Sequence, residues 1–249
     1  MYFSKNYTTK WHDTDACGIV RPSRLVEYMQ ETANLQCRHD HMDLNTLFFD
    51  QGLGFLLSRS QISVTAPLYA YEDIEVRTWC LPSPVRSLSF LRCFAILRQE
   101  KIIAEALTTW ALMDVRNQKL IRVNDFHGDF PMGDPIDETR LPKKVRIGSS
   151  LEMPLVGHRS VVYSDLDFNH HMNNTRYPDM LCDFIPDMNK KFVSSMSLAY
   201  LHEASFGDNI AIHRLNGGEN EQADSYLFKT INQSGTVCLE AEIKLSSVQ

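Results

Sequence analysis

The sequence predicts an α+β protein of two tandem units, each an antiparallel sheet wrapped around one long helix. Three observations carry that prediction: a repeated acidic motif, an apolar helical stripe after each copy, and runs of strand character after each helix. WHDTDACGIVRPSR starts at Trp11 and VYSDLDFNHHMNNTR at Val162, and one spacing of 152 pairs Asp13 with Asp165, Asp15 with Asp167 and Arg24 with Arg176. Two copies of one unit in a single chain amount to a fused pseudo-dimer.

In the first unit Leu25, Tyr28, Met29, Ala33 and Cys37 fall on one helical face, with Ser23 placed to cap the helix. Strands follow in FLLSRSQISVTAPLYAYEDIEVRTW and in SFLRCFAIL with KIIAEALTTWALMDV. In the second unit Tyr177, Met180, Leu181, Phe184, Ile185 and Met188 keep the helical period, Asn173 or Asn174 can cap, and Pro178 sits in or near the first turn, where a missing amide hydrogen costs little. Its strands lie in VSSMSLAYLHEASFGDNIAIHRL, SYLFKTI and TVCLEAEIKL.

Beyond the helices the spacing drops to 135, pairing Asp73 with Asp208 and Glu105 with Glu240, so the first unit carries extra residues within NLQCRHDHMDLNTLFFDQGLGF, as a lid or a longer helix. Residues from Asn117 to Pro154 hold four of the ten prolines and no sustained period, which marks a linker. The expected division is 1–123, 124–154 and 155–249.

Composition narrows the class. An apolar content of 43% supports a real core, and a net charge of −6 argues against a nucleic-acid binder, which needs a basic stripe. Six cysteines form no C-x-x-C pair or regular framework and read as reduced thiols. No apolar run approaches a membrane span, and MYFSKNYTTKWHD has neither a signal-peptide nor a transit-peptide pattern, so the expected location is the cytosol rather than a plastid or a membrane.

The ten residues DLDFNHHMNN, 165 to 174, concentrate two Asp, three Asn and two His. With its flanks, SDLDFNHHMNNTRY resembles the S-D-x-D-x-N-x-H-x-N-N segment of the acyl-acyl carrier protein (acyl-ACP) thioesterases, which carry two hotdog units in one chain. LAYLHEASFGD is similar to that family's strand supplying an acidic residue. The resemblance spans nearly the whole chain and implies a double hotdog fold, hydrolysis of fatty acyl thioesters in fatty acid biosynthesis, and a catalytic group of Asp167, Asn169, His171 and Glu203. It also implies acyl carrier protein as the partner, an acyl-chain pocket in the first unit and no resident cofactor or metal, since phosphopantetheine arrives with the substrate. A homodimer of such chains is compatible with the family. Many plant members carry a Cys after the glutamate; here it is Ala204, so a Cys-based mechanism has no nucleophile at this place.

WHDTDACGIVRPSRLVEYMQETA resembles a second pattern, the D-T-D-A-x-G-V-V motif of 4-hydroxybenzoyl-CoA type thioesterases, whose second Asp would be Asp15. Where the second unit has Asn169 and His171, the first has Cys17 and Ile19, which favours the second site. A silent acyl-thioester-binding hotdog protein is the alternative outside enzymology.

Thioester hydrolysis needs an activated water or a nucleophile, and donors for the oxygen that becomes negative. His171 and Glu203 are the base candidates, Asp167 and Asn169 the positioning groups, with direct attack by Asp167 as the rival. The backbone from His171 to Thr175 leads into a helix and is expected to offer amides to the oxyanion. Strict alternation from Met196, Leu198 and Tyr200 puts Glu203 on the wrong strand face unless a bulge intervenes near 202–205. Asp165, Asn173 and Asn174 read as turn and cap residues, His170 as a spacer, and His39 and His41 as a solvated loop.

Overall fold

The computed structural model describes all residues except 85, 127, 129, 217–223 and 249. The elements in order are β1 (Phe3–Thr8), α1 (Pro22–His39), β2 (Leu53–Val64), β3 (Asp73–Leu81), β4 (Ser89–Arg98), β5 (Lys101–Asp114) and β6 (Lys119–Ile121), then β7 (Leu155–Ser160), α2 (Arg176–Cys182), β8 (Lys191–Tyr200), β9 (Asn209–Asn216), β10 (Ser225–Ile231) and β11 (Val237–Ser247). The strands form one open antiparallel sheet in the order β1-β3-β4-β5-β2-β8-β11-β10-β9-β7, with β6 on β5. The order reads the same from either end, β1 answering to β7 and β2 to β8, so the two units meet back to back at the β2–β8 pair, Arg59 opposite Ala199 through Ser63 opposite Ser195.

Both helices lie on one face of this sheet. Leu25, Val26, Met29 and Ala33 of α1 join Ile62, Val76, Phe94, Ile96 and Ala106, and Tyr177, Met180 and Leu181 of α2 join Met196, Leu198, Ile212 and Phe228, in one continuous core. Alternation along each strand sends every second residue to that face.

Several local expectations change. Pro22 occupies the first turn of α1 and Ser23 is buried inside it; the cap is Asp179 of α2, whose carboxylate accepts the Ser23 amide (3.0 Å) and hydroxyl (2.6 Å). The second helix stops at Cys182, short of the apolar stripe that runs on to Met188, because Pro186 disfavours helical backbone at the residue before it. Phe184 and Ile185 still pack on the core. The extra residues of the first unit become both a longer helix, 18 residues against seven, and a π-helical turn, Thr46–Asp50.

The sheet edges were not anticipated. β1 and β7 precede the two motifs and are mostly exposed, so they lack the apolar alternation that reveals a half-buried strand. Hydrogen bonding also shifts one repeat pair: Glu72 and Asp208 each accept on their backbone carbonyl from the strand-end residues Thr9 and Val161, while Asp73 pairs with Thr8 as Asn209 pairs with Ser160. Asp208 therefore answers to Glu72, not Asp73.

From Ile136 to Ile147 the chain crosses the sheet face opposite the helices as a strap. Ile136 and Leu141 pack on Cys93 and Leu107, and Val145 and Ile147 on Ala199. The paired glutamates tether it: Glu105 bridges Arg140 at 3.1 Å, and Glu240 accepts the Ile147 amide at 2.9 Å.

Candidate active site

Each acidic motif folds into the same loop. Asp15 Oδ1 accepts the amides of Cys17 (2.8 Å) and Ile19 (3.0 Å); Asp167 Oδ1 accepts those of Asn169 (2.8 Å) and, more loosely, His171 (3.4 Å). A left-handed residue closes each turn, Gly18 at φ 78° and His170 at φ 63°. The loops then anchor to the segment after the central strand: the Val20 amide donates to the Leu68 carbonyl, and the Met172 amide to the Ala204 carbonyl, both at 2.8 Å.

This matching equates Asp15 with Asp167, Cys17 with Asn169, Ile19 with His171 and Pro67 with Glu203. Only the second set assembles polar chemistry. His171 Nε2 lies 3.1 Å from Glu203 Oε2, with the imidazole about one third exposed and the carboxylate more so. Asp167, Asn169 and His171 share one loop, and Glu203 reaches it from the segment after β8. In the first set an apolar side chain and a proline stand where the imidazole and carboxylate would be.

Glu203 is not on a strand. β8 ends at Tyr200, and the amides of Leu201 (2.9 Å) and His202 (3.2 Å) both donate to the Cys238 carbonyl, a two-on-one bulge that breaks the alternation. His202 turns away, its Nδ1 2.9 Å from the Val237 carbonyl, and Cys238 Sγ approaches the Glu203 carbonyl at 3.8 Å. Ala204, buried, serves through its backbone.

Most of the expected oxyanion donors are already used. The Met172 amide goes to Ala204, Asn173 to the Asp165 carbonyl and Thr175 to Asn173 Oδ1, and α2 begins only at Arg176. The side-chain amide of Asn169 and the backbone amide of Asn174 make no protein hydrogen bond among the described residues and are the donors that remain for that task.

Asp165 is structural. Its carboxylate takes a two-pronged contact from Arg159 (2.6 and 3.0 Å) and the Val162 amide (2.9 Å). Burial works to raise its pKa, but the Arg159 contact and the amide outweigh it and hold the carboxyl below the usual range. Asp13 holds the matching place, bonded by the Lys10 amide and the Tyr28 hydroxyl. Asn173 caps the turn into α2 by accepting from both the Thr175 amide and hydroxyl (2.9 Å each).

The surroundings include residues that the motif does not announce. Phe168, between Asp167 and Asn169, meets Phe48 of the π-helical turn edge-on at 4.8 Å, so the insertion of the first unit reaches the loop of the second. Tyr200, partly buried, donates to the Asn174 carbonyl (3.2 Å), lies beside Ser60 and meets Tyr177 edge-on. Its place at the strand end is the signal that could have found it. All six cysteines are free thiols; Cys17 is exposed, and burial pushes Cys93 up to about 12. Among the described residues no three His, Cys, Asp or Glu are grouped to hold a metal, and no helix is long and apolar enough to cross a membrane.

Comparison with known proteins agrees with this architecture. A crystal structure of an acyl-ACP thioesterase from Bacteroides thetaiotaomicron matches over 98% of both chains with a TM-score of 0.85 at 21% identity. The 12:0-ACP thioesterase from Umbellularia californica covers 99% of this chain, and 97% of its own is covered, with a TM-score of 0.79 at 16% identity. These likenesses give the double hotdog fold. The chloroplastic palmitoyl-acyl carrier protein thioesterase of Gossypium hirsutum is 22% identical over 217 residues, 82% of this chain; the chain spans about half the length of the curated relatives it matches, 52% in this case. Models of the acyl-ACP thioesterase N-terminal and C-terminal domains match residues 1–127 and 149–247. With both domain models matched in order over most of its length, the chain belongs to the acyl-ACP thioesterase family.

Proposed function

We propose that the protein hydrolyses fatty acyl-ACP thioesters to free fatty acid and carrier thiol, with Asp167, Asn169, His171 and Glu203 as its working groups. The observation that carries this reading is the 3.1 Å contact of His171 with Glu203 on the loop that also holds Asp167 and Asn169, set against Ile19 and Pro67 at the matching places of the first unit. Family membership supports the reaction class.

Water is the nucleophile. Glu203 and His171, in contact with each other, take its proton as its oxygen adds to the thioester carbon; Asn169 donates to the oxygen that turns negative; the C–S bond then breaks and the proton passes to the departing sulfur. Asp167 sets the loop: one carboxylate oxygen is bound by two backbone amides, which lowers its nucleophilicity and disfavours direct attack. The chain divides as 1–123, 124–154 and 155–249, with the acyl chain held in the first unit and acyl carrier protein docking at the mouth of the second.

The test is release of free thiol and acid from purified acyl-ACP. Turnover that survives His171→Ala and Asp167→Asn at the wild-type rate means that the site is elsewhere. Tight binding of an acyl-phosphopantetheine probe with no hydrolysis over hours means a binding protein instead.

A further inference from the structure

The first unit carries a polar layer in its apolar interior. Register places Leu198 of β8, Ser60 of β2, Thr108 of β5, Arg92 of β4 and Cys80 of β3 in one row across the sheet. Leu198 is a core position, Ser60, Thr108 and Arg92 each lie two residues from one, and Cys80 lies two from the buried Thr78, so the row faces the helices. Arg92, only 7% exposed, donates from one guanidinium nitrogen to Gln36 of α1 (2.9 Å) and to Thr78 (3.3 Å), and its charged carbon stands 5.1 Å over the Phe130 ring. The neighbouring row holds Leu57, Trp110 and Phe90; Phe55, Phe126 and Phe130 each meet Phe90 edge-on, and Phe126 stacks on Phe130.

One end of the layer adjoins the catalytic loops. Tyr200, last residue of β8 and three before Glu203, lies beside Ser60, whose strand partner is Leu198. From β8 the small side chains of Ser60 and Thr108 lead across two strands, and the guanidinium of Arg92 stands on the third. An acyl chain passing between α1 and the sheet would cross the small side chains of Ser60 and Thr108, the latter bonded by the Trp110 indole (2.8 Å), before it had to displace a buried cation and its hydrogen bonds, a cost that opposes the gain from burying more methylenes.

We propose that Arg92, fixed by Gln36 and Thr78, is the stop that limits acyl length, so that the substrates are medium-chain acyl thioesters. This rests on the thioesterase reading above. Three strand spacings of about 4.8 Å span roughly 14 Å. A methylene advances an extended chain by about 1.25 Å, from a 1.5 Å bond at a near-tetrahedral angle, so the row holds on the order of twelve carbons.

The experiment is the profile of kcat/KM across saturated acyl-ACP substrates of eight to eighteen carbons. Wild type is expected to peak near twelve carbons. Arg92→Met, close in volume and uncharged, is expected to raise the ratio of sixteen- to twelve-carbon activity by about tenfold or more, the scale on which an apolar pocket counts methylenes. Arg92→Lys keeps the cation and should keep the profile, while Thr108→Phe moves the stop inward and should favour eight to ten carbons. A purely structural role for Arg92 would lower activity on all lengths together and leave the ratio unmoved. A wild-type optimum at sixteen or eighteen carbons, or a ratio unchanged in Arg92→Met, overturns the proposal; if that variant does not fold, Thr108→Phe with an unchanged profile does so. Hydrolysis of no acyl-ACP at all withdraws the thioesterase reading, and this inference with it.

Discussion

His171 and Glu203 are joined by a 3.1 Å contact between two loops that are 32 positions apart in sequence, one before α2 and one after β8. If they act as one acid–base unit, their losses do not add. His171→Ala and Glu203→Gln are each expected to lower kcat by about 10²–10⁴, and the double variant to be little worse than the weaker single one. Steady-state thiol release by the three variants checks this; fully multiplicative losses would mean independent roles.

The two motif aspartates separate the live site from the silent one. Asp15 and Asp167 make the same turn with their own backbone, and asparagine keeps the accepting oxygen, so the substitution removes charge with little loss of shape. Asp167→Asn is expected to lose at least about tenfold in kcat, while Asp15→Asn stays near wild type. The reverse order would move the chemistry to the first unit.

Acid should weaken the second unit through Asp165. Its folded pKa lies below the unfolded value of about 3.9, because the Arg159 contact and the Val162 amide outweigh burial. The stabilisation is therefore fully present above that unfolded value and lost as pH falls through the folded one. The Tm gap between wild type and Asp165→Asn should be constant near neutrality and shrink below about pH 4. A gap that widens with acid would contradict the assignment.

The strap offers a stability test away from the site. Glu240→Ala removes the acceptor of the buried Ile147 amide and is expected to cost about 1–3 kcal/mol. Urea unfolding measures it, and an unchanged midpoint would show that the strap contributes nothing through this contact.

What the residues reveal in advance follows the physics of each signal. The tandem plan and the motif loop were legible because paired spacings and dense polar clusters survive in one dimension. Asp165, Asn173 and His170 take the turn, cap and spacer roles expected of them. The rest depends on tertiary partners. Ser23 looks like a cap but is itself bonded by Asp179, over 150 positions away. Glu203 falls on the wrong face by strict alternation, and only the shared Cys238 carbonyl explains its return. Three of the amides expected to serve the oxyanion are spent on Ala204, Asp165 and Asn173, a competition that no local pattern exposes. Arg92 lies in a run that reads as plain strand, and its buried setting appears only once Gln36 packs over it.

The carboxylate of Asp179 that finishes the start of α1 belongs to the opposite half of the molecule. A cap of this kind is worth about 0.5–2 kcal/mol, and it vanishes if the halves are cut apart. Neither half is then a self-sufficient module: recombining the front of one homologue with the back of another would need the serine and the aspartate to travel together, or the chimera would begin its principal helix with a bare amide and an unpaired hydroxyl at Ser23.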